Sequence, residues 1–162
     1  MADAPSPEDA MQAGMTITRV FDAARERVWR EWTEPECFAD WFGGPDAEVP
    51  VSTVSMDVRE GGAWRATMFH TPGRGEIRWH GTFLEVVEPE RLVMTFSDEP
   101  DEDLFELVIV VLNDLGDGRT EMLFEQRGRM SPEQYEAAGQ GWSTFFDRMA
   151  QRLAGGQAPG TA

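Results

Sequence analysis

The sequence predicts an α+β domain in which a curved antiparallel sheet wraps around one long C-terminal helix. Two observations lead to this fold class. Segments with β-type alternation occupy most of the middle of the chain, whereas residues 131–153 carry apolar side chains at three- and four-residue steps. A large antiparallel sheet needs one face covered, and this last helix is the only predicted element long enough to cover it.

The first predicted elements are one strand and two short helices. Met15–Phe21 alternates and is rich in residues that favour strands, so it predicts a strand. Asp22 is a candidate cap for a helix that contains Trp32. Thr33–Glu36 (TEPE) has the pattern of a capping box with proline in the first turn, so it predicts a second helix, which Gly43–Pro45 should end.

Six further strands and the long helix follow, which gives about seven strands with the N-terminal one. The predicted strands are Val51–Arg59, Ala63–His70, Ile77–Val87, Arg91–Ser97, Leu104–Leu112 and Arg119–Gln126, with turns at TPGRG, EPE and NDLGDG. Ser131–Gln134 is a second capping-box pattern, with proline at the first helical position. The apolar stripe of the helix comprises Tyr135, Ala138, Trp142, Phe145, Phe146, Met149 and Leu153.

Length and composition predict one globular domain with unstructured ends. At 162 residues the chain has the length of a single domain. Residues 1–13 are small, acidic and proline-containing, which predicts a disordered N-terminal arm; residues 14–154 form the domain and residues 155–162 a disordered tail. The N-terminus lacks an apolar core, and no apolar run reaches the ~20 residues of a membrane span, which favours a soluble cytoplasmic protein.

Charge and motif content exclude several classes of function. The formal net charge of −16 repels nucleic acid and anionic membrane surfaces, so neither is an expected partner. The single cysteine, Cys37, excludes an internal disulfide, and no metal-ligand spacing or phosphate-binding loop occurs, so neither a metal nor a cofactor is predicted. The acidic run Asp98–Asp103 lacks the ligand spacing of a calcium loop and is interpreted as a solvated turn.

The last predicted hairpin places a carboxylate and an amide on the inner face of the sheet. Alternation puts Met122, Phe124 and Gln126 on one face, and pairing across the turn adds Val108 to it. The same parity turns Glu106 inward, close to Gln126. A carboxylate on an apolar face needs a partner, because leaving it dry and unpaired costs several kcal/mol. Either Glu106 lies at a wet rim of the sheet, or it forms with Gln126 the polar part of a ligand site.

The other strands and the helix supply further candidates for a ligand cavity. By alternation, the inward side chains are Trp64, Met68, Trp79, Phe83, Met94 and Phe96, and the helix adds Trp142 and Phe146. Each is explained by burial in a core, but a lining rich in methionine and tryptophan also suits a promiscuous apolar ligand. His70 falls on the inner side near a turn and is a candidate general base; His80 should face outward.

Five aromatic residues lie among charges in Arg27–Pro45 (RVWREWTEPECFADWFGGP). We interpret this stretch as two short helices that close one end of the sheet rather than as a ligand site. Its inward residues would be Val28, Trp32, Phe38 and Phe42, and its solvent-exposed residues would be Arg27, Arg30, Glu31, Glu34 and Glu36.

Several segments together resemble a known family. ITRVFDAARERVWREWTEPECFADWFGGP, EGGAWRATMFH, RWHGTFLEVVEPERLVMTF and GWSTFFDRMAQRLA are similar, in order, to bacterial proteins related to the heat-shock-protein-90 ATPase activator homologue, within the SRPBCC (START-like) superfamily. The resemblance covers about Met15 to Leu153. It implies a helix-grip fold with a deep, mostly apolar cavity between sheet and helix, in a superfamily of ligand carriers, cyclases, dehydratases and co-chaperones.

Three functions remain open from the sequence. The leading hypothesis is a protein that binds a small apolar or aromatic molecule in the cavity and catalyses no assigned reaction. The second is a cyclase- or dehydratase-like enzyme that uses Glu106, with His70 or Gln126, on a polyketide or aromatic substrate. The third is a co-chaperone-like module that acts on a chaperone ATPase. A homodimer is compatible with all three.

Overall fold

A computed structural model describes residues 14–70, 75–100 and 104–155, and the fold class predicted from the sequence is confirmed. The strands are β1 (Gly14–Phe21), β2 (Ala47–Glu48), β3 (Ser55–Met56), β4 (Ala63–His70), β5 (Glu76–Val87), β6 (Arg91–Phe96), β7 (Glu106–Asp114) and β8 (Thr120–Arg127). The helices are α1 (Arg25–Thr33), α2 (Pro35–Trp41) and α3 (Pro132–Ala154).

The strands form one eight-stranded antiparallel sheet. Its order is β1-β8-β7-β6-β5-β4-β2, and β3 pairs with β4 beside that path. Buried residues alternate along β4, β7 and β8, so one face of the sheet is covered and the other faces solvent. Helix α3 contacts β1, α1 and α2, and the core lies between these helices and the covered face, as in a helix-grip fold. None of the helices in the described ranges has the length and apolar character that a membrane crossing requires.

One predicted strand differs from the structure, and one observed strand has no counterpart in the prediction. The strand predicted over residues 51–59 is wrong: Val51–Thr53 is a turn of 3-10 helix, and only Ser55–Met56 pairs, with β4. The two-residue strand β2 was not predicted. Segments of two residues show no alternation of apolar and polar side chains. Whether they pair as strands depends on which backbone lies beside them in the folded chain.

The capping prediction fails for α1 and α2 and is confirmed for α3. Ala24, not Asp22, precedes α1, and Glu34 precedes α2 without a side-chain cap. The Thr33 hydroxyl instead donates to the Trp29 carbonyl of the preceding turn, at 2.9 Å, because Thr33 is still helical. At α3 both hydrogen bonds of the predicted capping box are present: the Ser131 hydroxyl accepts from the Gln134 backbone N–H, and the Gln134 side chain accepts from the Ser131 backbone N–H. Gly43 has a φ of 100°, and so provides the stop expected after α2.

Several sequence predictions lie outside the described residues. They are the disordered arm at 1–13, the tail beyond residue 155, most of the TPGRG turn and the second half of the acidic run 98–103. They stay predictions.

Candidate functional site

The covered face of the sheet carries a continuous aromatic cluster. Its centre is Trp32 of α1, which is fully buried and lies 6.0 Å, between ring centroids, from both Phe124 of β8 and Phe146 of α3. Trp142 of α3 lies 4.7 Å from Phe124 and 5.5 Å from Phe96 of β6. This corrects the deep, mostly apolar cavity that the family resemblance implies, because rings in mutual contact occupy the space between sheet and helix.

The residues predicted to line a cavity are brought together on this inner face. Buried there are Trp64, Met68, Phe83, Met94, Phe96, Val108, Met122, Phe124, Gln126, Trp142 and Phe146. Trp79 and Glu106 are half-buried. The register pairs Val108 with Gln126 and Val110 with Phe124, so the inner face of this hairpin has the predicted parity. Glu106 and Gln126 are diagonal neighbours rather than direct partners.

Glu106 is the acceptor of a hydrogen-bond network that joins the sheet to the start of α3. Its Oε1 accepts from the Tyr135 hydroxyl at 2.8 Å and from Gln126 Nε2 at 3.1 Å. Its Oε2 accepts from the Arg129 backbone N–H at 3.1 Å. Gln126 Oε1 in turn accepts from Trp142 Nε1 at 2.8 Å. Neutral donors thus satisfy both oxygens of the carboxylate, and we call this set the Glu106 network.

Gly128 makes the Glu106 network possible. A Cβ at this position would lie 1.8 Å from Glu106 Oε2 and 2.2 Å from its Cδ, so any side chain would displace the carboxylate. Burial and the hydrogen bond to Glu106 raise the pKa of Tyr135 to about 12, because both disfavour the phenolate. The Tyr135 hydroxyl therefore stays a donor to Glu106 at neutral pH.

Sequence reasoning found Glu106 and Gln126 but not their other partners. The sequence pattern places Tyr135 only on the apolar stripe of α3 and gives no indication of a role for Gly128. One available signal was that the only tyrosine of the chain follows a capping box directly, which fixes its position in the first turn. The glycine left no such signal, since its contact depends on strand pairing.

Of the two pairings that the enzyme hypothesis allows, the structure brings Glu106 together with Gln126 but not with His70. His70 is the last residue of β4, whereas Glu106 is the first residue of β7. These strands are three positions apart in the sheet, which is about 14 Å measured across the strands. No hydrogen bond or ion pair joins the two side chains. Within the described ranges, no group of three or more His, Cys, Asp or Glu side chains is placed to hold a metal ion.

Two buried indole N–H groups on the inner side lack an acceptor among the described residues. They belong to Trp32, in the centre of the aromatic cluster, and to Trp79 of β5. Trp79 lies at the rim of the cluster, where its ring approaches Phe42 at 6.2 Å and Phe96 at 5.5 Å. Half-buried Phe145 of α3 also packs on Phe42, at 5.7 Å. We call Trp79 and Phe145 the aromatic rim.

The other end of α3 is joined to α1 and α2 by ion pairs, which corrects the prediction that Glu31 is exposed. The Glu31 side chain is 6% exposed and accepts from Arg152 Nε at 2.7 Å and Nη2 at 3.1 Å. Arg152 also pairs with Asp40, which Arg148 contacts at 3.3 Å. Burial alone would raise the pKa of Asp40, but the hydrogen bonds and charges of these two arginines outweigh it and lower that pKa below its usual value.

Cys37, in α2, is buried beside this ion-pair cluster. Burial, and then the nearby Glu31 carboxylate, raise the pKa of the thiol to about 11. The thiol is therefore protonated at neutral pH and is a poor nucleophile.

Comparison with known proteins identifies relatives of the whole domain. The sequence model of a family described as activator of Hsp90 ATPase homolog 1-like protein matches residues 22–154. A search of curated proteins finds no significant match.

Solved structures share the fold at low sequence identity. Protein CV1439 from Chromobacterium violaceum is 23% identical, with a TM-score of 0.75 over 86% of this chain and 96% of that one. The AHSA1 (SPO3351) protein from Silicibacter pomeroyi is 19% identical, with a TM-score of 0.76 over 90% of this chain and 100% of that one. CalU16 from Micromonospora echinospora is 24% identical, with a TM-score of 0.63 over 85% and 74%.

Proposed function

This chain belongs to the family of activator of Hsp90 ATPase homolog 1-like proteins, and we propose that it binds a small aromatic molecule between sheet and helix without converting it. The observation that carries the proposal is the pair of buried indole N–H groups without acceptors, on Trp32 and Trp79. An unsatisfied buried donor costs about 1–3 kcal/mol, so a ligand that brings an acceptor oxygen recovers free energy there. The aromatic rings around it offer stacking partners for an aromatic ligand.

The aromatic rim is the proposed access route. Because rings fill the interior, a ligand must displace side chains, and half-buried ones cost less to move than buried ones. Trp79 and Phe145 are the half-buried rings at the edge of the cluster, and Trp79 carries one of the free N–H groups. The expected ligand therefore combines an aromatic ring with a phenol or carbonyl oxygen.

The Glu106 network supports binding without a reaction. The carboxylate already accepts from Tyr135, Gln126 and Arg129, and these contacts fix α3 on the sheet. A general base there would have to give up contacts that hold the helix in place. We therefore assign Glu106 to the structure of the site and not to catalysis.

Thermal unfolding with two probes tests the proposal. The probes are 2-naphthol, which has an acceptor oxygen, and naphthalene, which has none. At ten times its Kd, 2-naphthol should add about 1.4 kcal/mol of stability, which raises Tm by about 3–6 °C. Trp79→Phe keeps a ring and removes the N–H, so it should weaken 2-naphthol binding and leave naphthalene binding unchanged.

Trp29→Phe is the matched control, because Trp29 is buried in α1 in the same core but forms none of the ring pairs described for the aromatic cluster. It should alter binding of neither probe. A Tm that stays constant with both probes in the unmodified protein would contradict the proposal. So would a loss of 2-naphthol binding that is equal in the two variants.

A second candidate function is action on an Hsp90-type chaperone ATPase, as the family description suggests. The solvent face of the sheet favours it: Ile109, Val111 and Leu123 line a groove of about 530 Å³ there. Arg91 and Arg127 flank these residues and pair with Glu85 and Glu125. Stimulation of a chaperone ATPase that is lost in Leu123→Asp would support this candidate, and no stimulation by the unmodified protein would remove it.

A further inference from the structure

A second groove of about 430 Å³ opens beside the exposed Arg65 of β4, and its lining includes Trp64, whose ring also contacts Phe96 of the aromatic cluster. Its volume falls within the range of small-molecule sites, roughly 300–1,000 Å³. Ten described residues line it, among them Trp64, Arg65, His80, Gly81, Thr95 and Phe105. None of them is acidic, although the chain contains 30 Asp and Glu residues.

The groove follows from an interruption between β5 and β6. Regular pairing stops between the His80–Ser97 bridge and the Phe83–Met94 pair. In this interval the Thr82 N–H donates to Thr95 Oγ1 at 2.8 Å, and the Trp64 indole donates to the Thr95 carbonyl at 2.9 Å.

Gly81 leaves room for the Trp64 indole to reach across β5. A Cβ on Gly81 would lie 1.8 Å from the Thr95 carbonyl oxygen and 2.5 Å from Trp64 Nε1. The interruption is thus fixed by several contacts, and the groove is a built feature of the sheet rather than a gap between loops.

The groove contains a cation without a counterion. Arg65 is exposed on β4, directly opposite His80 of β5, and none of the described residues forms a hydrogen bond or ion pair with its guanidinium. Two nearby arginines do have counterions. Arg59 pairs with Asp57, and Arg78 pairs with Glu76, each with a nitrogen–oxygen distance of 2.8 Å. In a chain with a net charge of −16, an arginine that no described residue pairs, in a groove whose described lining contains no carboxylate, is a local site of positive charge.

The remaining groups of the groove fit an anion that carries an apolar part. The Arg65 guanidinium can donate two parallel hydrogen bonds to one carboxylate. His80 Nε2 lies 2.6 Å from the Glu99 carbonyl and therefore donates to it, which holds the ring in place. Phe105 is 37% exposed and supplies an apolar wall. We propose that this groove binds a small aromatic carboxylate, with the carboxylate on Arg65 and the ring on Phe105.

Titration with sodium benzoate at constant ionic strength tests the proposal, which is independent of the interior site. Saturable shifts of the Arg65, His80 and Thr82 amide signals in NMR spectra are expected. Arg65→Gln should weaken benzoate binding at least tenfold. Arg59→Gln removes the same charge from the neighbouring surface and should change binding less than twofold. Benzoate binding that is equal in both variants, or not saturable at all, overturns the proposal.

Further probes distinguish the parts of the ligand. Benzyl alcohol keeps the ring without the charge, and inorganic phosphate keeps a charge without the ring; both should bind at least tenfold more weakly than benzoate. Phosphate that binds as well as benzoate overturns the aromatic part of the proposal. Benzoate binding that is lost in Trp79→Phe but kept in Arg65→Gln assigns benzoate to the interior and overturns the groove.

Discussion

The two ends of helix α3 are anchored by carboxylates in opposite ways. At the N-terminal end, Glu106 accepts from neutral donors and forms no ion pair with the described residues. At the C-terminal end, Glu31 accepts two hydrogen bonds from one edge of the Arg152 guanidinium, whose Nη1 pairs with Asp40. The first arrangement depends on the shape of the backbone at Gly128, and the second depends on charge. The two ends should therefore respond differently to substitution and to pH.

The largest expected effect is at the charged end. Arg152→Met leaves the buried Glu31 carboxylate without its counterion, which should lower the free energy of unfolding by about 3 kcal/mol. Chemical denaturation measures the loss. Adding Glu31→Gln should restore much of it, because the remaining group is then neutral. A double variant as unstable as Arg152→Met would show that packing of the arginine, not its charge, matters.

The neutral end should respond most to a change of shape. Gly128→Ala inserts a Cβ against Glu106 and displaces the carboxylate from its donors, so we expect a loss of about 2 kcal/mol. Gly141→Ala is the matched control: a Cβ there meets nothing within 4 Å, and the helix should gain up to about 1 kcal/mol. Equal effects of the two substitutions in chemical denaturation would contradict the role given to Gly128.

A smaller effect should follow from removing a single donor at the neutral end. Tyr135→Phe deletes the hydroxyl that contacts Glu106, which should cost about 1.5 kcal/mol at neutral pH. Because folding raises the pKa of Tyr135 to about 12, its contribution is complete below the unfolded value of about 10 and is lost as the pH rises through 12. The unmodified protein should therefore approach the stability of Tyr135→Phe in this pH window.

Absorbance titration checks this directly, since Tyr135 is the only tyrosine of the chain. Tyrosinate should form in the folded protein near pH 12, and near pH 10 after unfolding in denaturant. A folded-state midpoint near 10 would refute the hydrogen bond to Glu106.

At the charged end the pH dependence of stability has the opposite sign. Asp40 has a lowered pKa in the folded protein, so its contribution to stability is present above its unfolded pKa and is lost as the pH falls through the folded value.

Alternation and capping patterns determined the architecture of this protein from the sequence alone. They identified the long helix, most strands and the inward face of β7 and β8, because strand parity and helix periodicity are local properties. That parity placed Glu106 beside Gln126. The prediction from sequence failed where local signals are weak: for the strands in residues 47–56 and for the caps of α1 and α2.

Only the tertiary structure decided how the polar groups are paired. Tyr135 and Glu106 are 29 residues apart, and Arg152 and Glu31 are 121 residues apart. No local pattern encodes such contacts, because they depend on where α3 lies on the sheet. The groove at Arg65 is of the same kind: it requires Gly81 and Thr95 on adjacent strands with the Trp64 indole between them. Local periodicity therefore fixed which face each residue occupies, and packing fixed which partner it has there.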